Sequence, residues 1–183
     1  MDPKEADRLN HEIVVEAMLD LKDVEELNLF FTRSSRLMLA VVFFLIVIGI
    51  VLLIDGSRTG MEFMIAVLSD LLLSVILWFV YGWSIRRKSV KAFFSDQLLR
   101  QRHTFVFSEM GFQYASDSES GKVRWSEIYE VRESRNLYLI LLSTSRTLIV
   151  PKDDFATERD RTRFRGIVES NVKASRFHWR RER

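Results

Sequence analysis

Two long apolar runs joined by six residues constrain this chain more than any other feature. Leu37–Ile54 reads LMLAVVFFLIVIGIVLLI, eighteen residues without a charge. At about 1.5 Å per residue a helix of that length covers roughly 27 Å, close to the hydrocarbon thickness of a bilayer. A polar turn follows, Asp55-Gly56-Ser57-Arg58-Thr59-Gly60, and Met61–Ile85 is apolar again with Asp70 its only charge deep inside. Neither run alternates as a half-buried strand would, and the first is apolar all round rather than along one stripe. The pattern predicts a transmembrane helical hairpin with spans 37–54 and 61–85, not the core helices of a soluble domain.

Charge divides across the hairpin. Residues 1–36 carry nine acids and five bases, whereas residues 86–183 carry 21 bases and 13 acids. Arg33 and Arg36 precede the first run, and Arg86, Arg87, Lys88 and Lys91 follow the second. The connecting turn holds Arg58 alone, beside Asp55 and Glu62. By the positive-inside rule both termini are expected in the cytoplasm of a bacterial inner membrane, with the turn outside. Trp78, Tyr81 and Trp83 gather at the cytoplasmic interface, as an aromatic belt does. The apolar run begins behind an acidic segment rather than a short basic one, so no cleaved signal is expected. With no cysteine in the sequence, disulfides and thiolate ligation are excluded.

Outside the hairpin the chain reads as α+β. In residues 1–36 a polar start precedes an expected strand, Ile13–Leu19, and an amphipathic helix capped by Asp20 with Leu21, Val24, Leu27 and Phe31 on one face. Residues 86–102 read as a basic juxtamembrane linker helix, in which Arg86, Arg87, Lys88 and Lys91 could meet anionic lipid. From His103 the period changes to two. Strands are expected at 103–108, 111–116, 122–125, 128–133, 137–142 and 147–150. Gly111 supplies positive φ in a tight turn, and Pro151 closes the ladder. Thr157 and Asp160 open a helix to about Lys173. The sheet of domain 103–173 must bury one face on that helix. The strand at 13–19 is expected to join this sheet across the whole hairpin. Residues 174–183 read as a solvated basic tail.

Three short stretches carry a family resemblance: Phe107-x-x-x-Gly111-Phe112, Trp125-Ser126-Glu127-Ile128-x-x-Val131, and Ile149-Val150-Pro151-Lys152-x-x-Phe155 before a helix. In this order, after two apolar helices, they resemble the bacterial YcxB-like family over roughly residues 90–173. The resemblance implies a small pleckstrin-homology-like antiparallel sheet closed by a C-terminal helix. It supplies no catalytic residues.

Catalytic chemistry is hard to place on the remaining residues. His11, His103 and His178 are scattered, without metal or triad spacing. No glycine-rich phosphate loop occurs. Asp153 and Asp154 are read as helix-capping residues and Trp125 as core. No cofactor, no metal and no enzymatic activity are expected, and nucleic acid is not an expected partner. Asp70 stands apart, because a carboxylate at mid-membrane costs at least about 2.5–3.5 kcal/mol on insertion scales. Ala66, Asp70 and Ser74 form a small or polar stripe, and Gly49 of the first run is expected at the same depth. These four residues are the candidates for helix packing or association, within one hairpin or between copies as a homo-oligomer. The function expected is a membrane-tethered interaction or regulatory module with the bilayer and a protein as partners. The alternative is a component of a membrane enzyme or transport system that uses Asp70.

Overall fold

The computed structural model describes residues 12–54 and 60–180. The expectations for residues 1–11, His11 among them, for the turn at 55–59 and for the last three residues lie outside the described residues. The chain forms two units, one from residues 25–92 and one from residues 1–24 with 93–183.

The first unit is helical. Helix α1 runs unbroken over Leu21–Ile54 and α2 over Gly60–Ser95. The amphipathic helix and first apolar run are therefore one element, and so are the second run and most of the basic linker. No proline interrupts either helix, and their Leu, Ile, Phe and Met residues favour continuation. At the start of α1, Asp20 and Asp23 cap each other: each side chain accepts the other's backbone N–H at 2.9 Å. Both helices are long and apolar enough to cross a membrane.

Among the described residues the second unit holds eight strands and one α-helix. Strand β1 (Ile13–Met18) pairs antiparallel with β2 (Arg102–Ser108), which continues through β3 (Gly111–Ala115) to β4 (Ser120–Arg124). A second sheet has β6 (Leu137–Leu141) between β5 (Glu130–Glu133) and β7 (Thr147–Pro151), all antiparallel. Its far edge is β8 (Phe177–His178), which lies parallel to β5. Helix α3 (Glu158–Asn171) starts at Thr157, whose hydroxyl oxygen accepts the Asp160 N–H at 3.1 Å.

Strand β1 belongs to the sheet as the alternation of its residues predicts: Ile13, Val15 and Ala17 point into the core, while Val14, Glu16 and Met18 point out. The core is aromatic. The Phe107 and Phe164 rings meet edge to face at 4.7 Å, with Tyr138 and Phe155 also against Phe164. Trp125 is buried among them, as expected, and its indole N–H donates to the Ser108 carbonyl at 2.8 Å. Gly111 has φ +154°, and a Cβ there would come within 2.2 Å of the Val123 carbonyl oxygen, so the turn admits only glycine.

Two expectations fail here. Of the residues read as a solvated tail, 177–179 do not extend into solvent, because Phe177 and His178 pair with β5 and Trp179 packs on the core. Asp154 does not cap α3. It sits in a 3-10 turn and accepts the Met18 N–H at 3.2 Å, closing the end of β1 instead.

Candidate functional site

The helical unit is built inside out. Its exposed surface is apolar, with Leu45, Ile46, Leu53, Leu72, Leu73 and Phe79 among many large side chains facing outward. What α2 buries is mostly small or polar: Asp70, Ser74, Gly82 and Ser89, with Ile85 the one large apolar side chain among the described residues. These residues recur at three- and four-residue spacing and so occupy one face of the helix. A soluble helix pair reverses this arrangement.

The facing residues of α1 are polar at one end. Asn28 donates its side-chain N–H to the Ser89 hydroxyl at 2.8 Å, and Ser89 donates to the Ile85 carbonyl at 3.0 Å. Two turns along α1 from Asn28, the Arg36 guanidinium lies 5.3 Å from the Trp78 ring centre. It sits so close to Gly82 that a Cβ there would approach one of its nitrogens at 2.9 Å. Arg36 was read from sequence as a topology-setting flank. Its place between the helices was legible only as a small residue, Gly82, on the opposite run. Beyond it a groove of about 330 Å³ opens, lined by Ala40, Phe44, Ser74 and Trp78 among others.

Asp70 and Ser74 are buried further along α2. They are 2% and 5% exposed, and neither the Asp70 carboxyl oxygens nor the Ser74 hydroxyl has a hydrogen-bond partner among the described residues. The antiparallel register set by Asn28–Ser89 and Arg36–Gly82 brings Asp70 level with residues 47 and 48. Gly49 is the next residue, and a Cβ there would meet nothing within 4 Å. Its lack of a side chain is not what lets the helices approach. Ala66 is half-buried. The basic group Arg86, Arg87, Lys88 and Lys91 is exposed, with the Arg87 guanidinium stacked 3.6 Å from the Trp83 ring centre.

In the sheet unit, the three stretches singled out in the sequence converge on one core. Phe107, Phe112, Trp125, Ile128, Val131, Val150 and Phe155 are all buried in it. Residues 107–168 match the family described as YcxB-like protein. The chain carries a YcxB-like domain. It is also similar to a Bacillus subtilis (strain 168) protein named "Uncharacterized protein YcxB", at 20% identity over 128 residues, or 70% of this chain and 67% of the relative. No solved structure matches the chain.

The YcxB-like domain has its own buried charge centre. The Glu133 side chain is 2% exposed and accepts from Lys152 Nζ and, at 2.6 Å to each oxygen, from Arg165. The Arg180 backbone N–H adds a further bond at 3.0 Å. Burial pushes the Glu133 carboxyl up, but the Lys152 and Arg165 bonds with the Arg180 N–H outweigh it and hold the group below the ordinary carboxylate range. Lys152 also donates to the Ser134 and Arg135 carbonyls. The centre therefore joins β5, the turn after it, α3 and the C-terminal residues of the YcxB-like domain. Among the described residues no three His, Cys, Asp or Glu side chains converge to hold a metal ion. His103 stacks beside Phe105, a structural role.

Proposed function

We propose that this chain is a bacterial inner-membrane protein, anchored by the α1–α2 hairpin, whose YcxB-like domain is a non-catalytic binding or regulatory module in the cytoplasm. The observation that carries the reading is the inversion of the hairpin: large apolar side chains outside, a polar and small-residue seam inside. Exposed apolar surface on this scale would aggregate in water and is satisfied by lipid. The exposed Arg86, Arg87, Lys88 and Lys91 then lie where anionic headgroups would meet them.

The ladder supports placing both ends of the hairpin on one side. β1 precedes the hairpin and β2 follows it, so the two strands pair only if the chain returns to the side it left. An even number of crossings satisfies this, and two helices supply it. Four antiparallel strands, three more, and a C-terminal helix also suit a pleckstrin-homology-like fold, a framework used for recognition. A protein partner and a second copy of this chain are the candidate ligands.

Membrane pelleting followed by alkaline carbonate washing tests the anchor. The proposal expects the full chain to stay in the pellet and to leave it only with detergent. Release by carbonate alone would reject it.

A second reading rests on Asp70. A carboxylate sealed between helices without a hydrogen-bond partner is costly, and such groups mark ion or proton pathways. On that reading the chain is one component of a membrane enzyme or transport system, since a single carboxylate in two helices does not make a pathway alone.

A further inference from the structure

The C-terminal residues contact the YcxB-like domain as a bound peptide would. Phe177 and His178 add a two-residue parallel strand to the edge of β5, opposite Val131 and Arg132. The Trp179 ring lies 6.1 Å from Tyr138 and 5.5 Å from the Arg165 guanidinium, and 5.5 Å from Phe177. Three carboxylates line the track. Glu130 meets His178 Nε2 at 3.0 Å, Glu133 accepts the Arg180 N–H, and Glu169 accepts the Trp179 indole N–H at 2.7 Å. The site thus reads main chain along the β5 edge and at Glu133, two aromatic side chains in alternate positions, and one base, at Glu130. This is the recognition pattern of strand addition.

We propose that the outer edge of β5 is a docking site for an extended peptide segment of basic and aromatic chemistry, which residues 177–180 occupy in cis. The inference deepens the binding-module reading and rests on it. The residues seated there name the partner: a segment with two aromatics one residue apart, an indole N–H to meet Glu169 and a base between them to meet Glu130. The cis occupant is also exchangeable. Phe177 and Trp179 are only half-buried, and His178 is exposed. When the Arg180 N–H leaves, Glu133 keeps both Lys152 and Arg165, so opening the edge strands no buried charge. An opened β5 edge presents unpaired backbone groups, which is a template for another strand.

The test uses the full chain in detergent and a fluorescein-labelled synthetic peptide with the sequence of residues 174–183. His178→Asp sets a carboxylate against Glu130 at an exposed position and loosens the strand without touching the core. Trp179→Ala loosens it at the aromatic anchor. The site predicts that both variants bind the peptide at least tenfold more tightly than the wild type. The Val131 amide, which faces β8, should exchange faster in the variants and slow again when peptide is added, whereas the Arg132 amide faces β6 and should not. Exchange in β2 and β3 should stay unchanged, which shows that the domain is folded. A peptide with alanine at both aromatic positions should not bind. Equal affinity for wild type and variants, or absence of binding while Val131 has lost protection, overturns the site. So do wild-type dimers that the free peptide dissolves, because they would assign the edge to a second copy. A chain that fails these tests yet resists carbonate extraction rejects the edge site and leaves the membrane anchor standing.

Discussion

Met18 and Arg102 are ladder partners, although the entire helical hairpin lies between them in sequence. The two apolar helices are therefore an insertion between adjacent strands of one sheet, not a leader placed before a domain. The consequence is energetic as well as topological. Ile13, Val15 and Ala17 supply part of the domain core, so a fragment beginning at residue 103 would lack them and expose one edge of β2. Any measurement on the YcxB-like domain alone must retain β1.

The polar seam should stabilise the hairpin. Ser89→Ala removes the acceptor for Asn28 and leaves that amide without its bond across the seam. A loss of about 0.6–2 kcal/mol is expected from one interhelical bond in a membrane setting. Thermal unfolding of the hairpin in detergent reads this directly, and Asn28→Ala combined with Ser89→Ala should cost less than the sum of the two single changes.

Asp70 should behave differently from the Asn28–Ser89 pair, because its carboxyl has no hydrogen-bond partner among the described residues. Asp70→Leu removes that buried polar group and should improve insertion by about 2.5–3.5 kcal/mol. Insertion assays of the hairpin measure it. If Asp70 serves a pathway, Asn and Leu should abolish the cellular function alike, since neither side chain titrates, while both proteins remain inserted. Poorer insertion of Asp70→Leu would mean that the carboxylate holds the helices together through a bond.

Much of this architecture was legible beforehand. The hairpin declared itself by hydropathy, and β1 by strict alternation of apolar residues, signals that survive without knowledge of what packs on them. The C-terminal strand did not, because two residues give no period and Phe177-His178-Trp179 among arginines has the composition of a loose basic tail. Its docking depends on Glu133, which is distant in sequence. The place of Arg36 beside Gly82 was not legible for a similar reason: a base at the end of an apolar run carries the same local pattern whether it faces headgroups or a glycine on the neighbouring helix. At Gly49 smallness permits close approach without requiring it. What surrounds Asp70 was not legible at all, because burial between helices depends on which face of α1 meets it.

Glu133 should be the most sensitive charge in the domain. Glu133→Gln leaves Lys152 and Arg165 without their carboxylate and should cost about 3 kcal/mol, the lower end for breaking a buried pair because both cations retain some solvent contact. The pH dependence follows from the depressed folded-state pKa of Glu133. Its stabilising contribution is complete above the unfolded value of about 4.3 and is lost as pH falls from there through the folded value. Urea midpoints between pH 3 and 7 should therefore decline on the acid side in the wild type, and more shallowly in Glu133→Gln.

The absence of native cysteine makes the topology directly measurable. Ser57→Cys places a thiol in the turn between the two runs, and Met110→Cys places one on the domain, at a side chain 85% exposed. Intact spheroplasts are treated with a membrane-impermeant maleimide, before and after permeabilisation. A hairpin inserted into the β1–β2 connection predicts that residue 57 is labelled from outside, and residue 110 only once the membrane is opened. Labelling of both positions from the same side would contradict it.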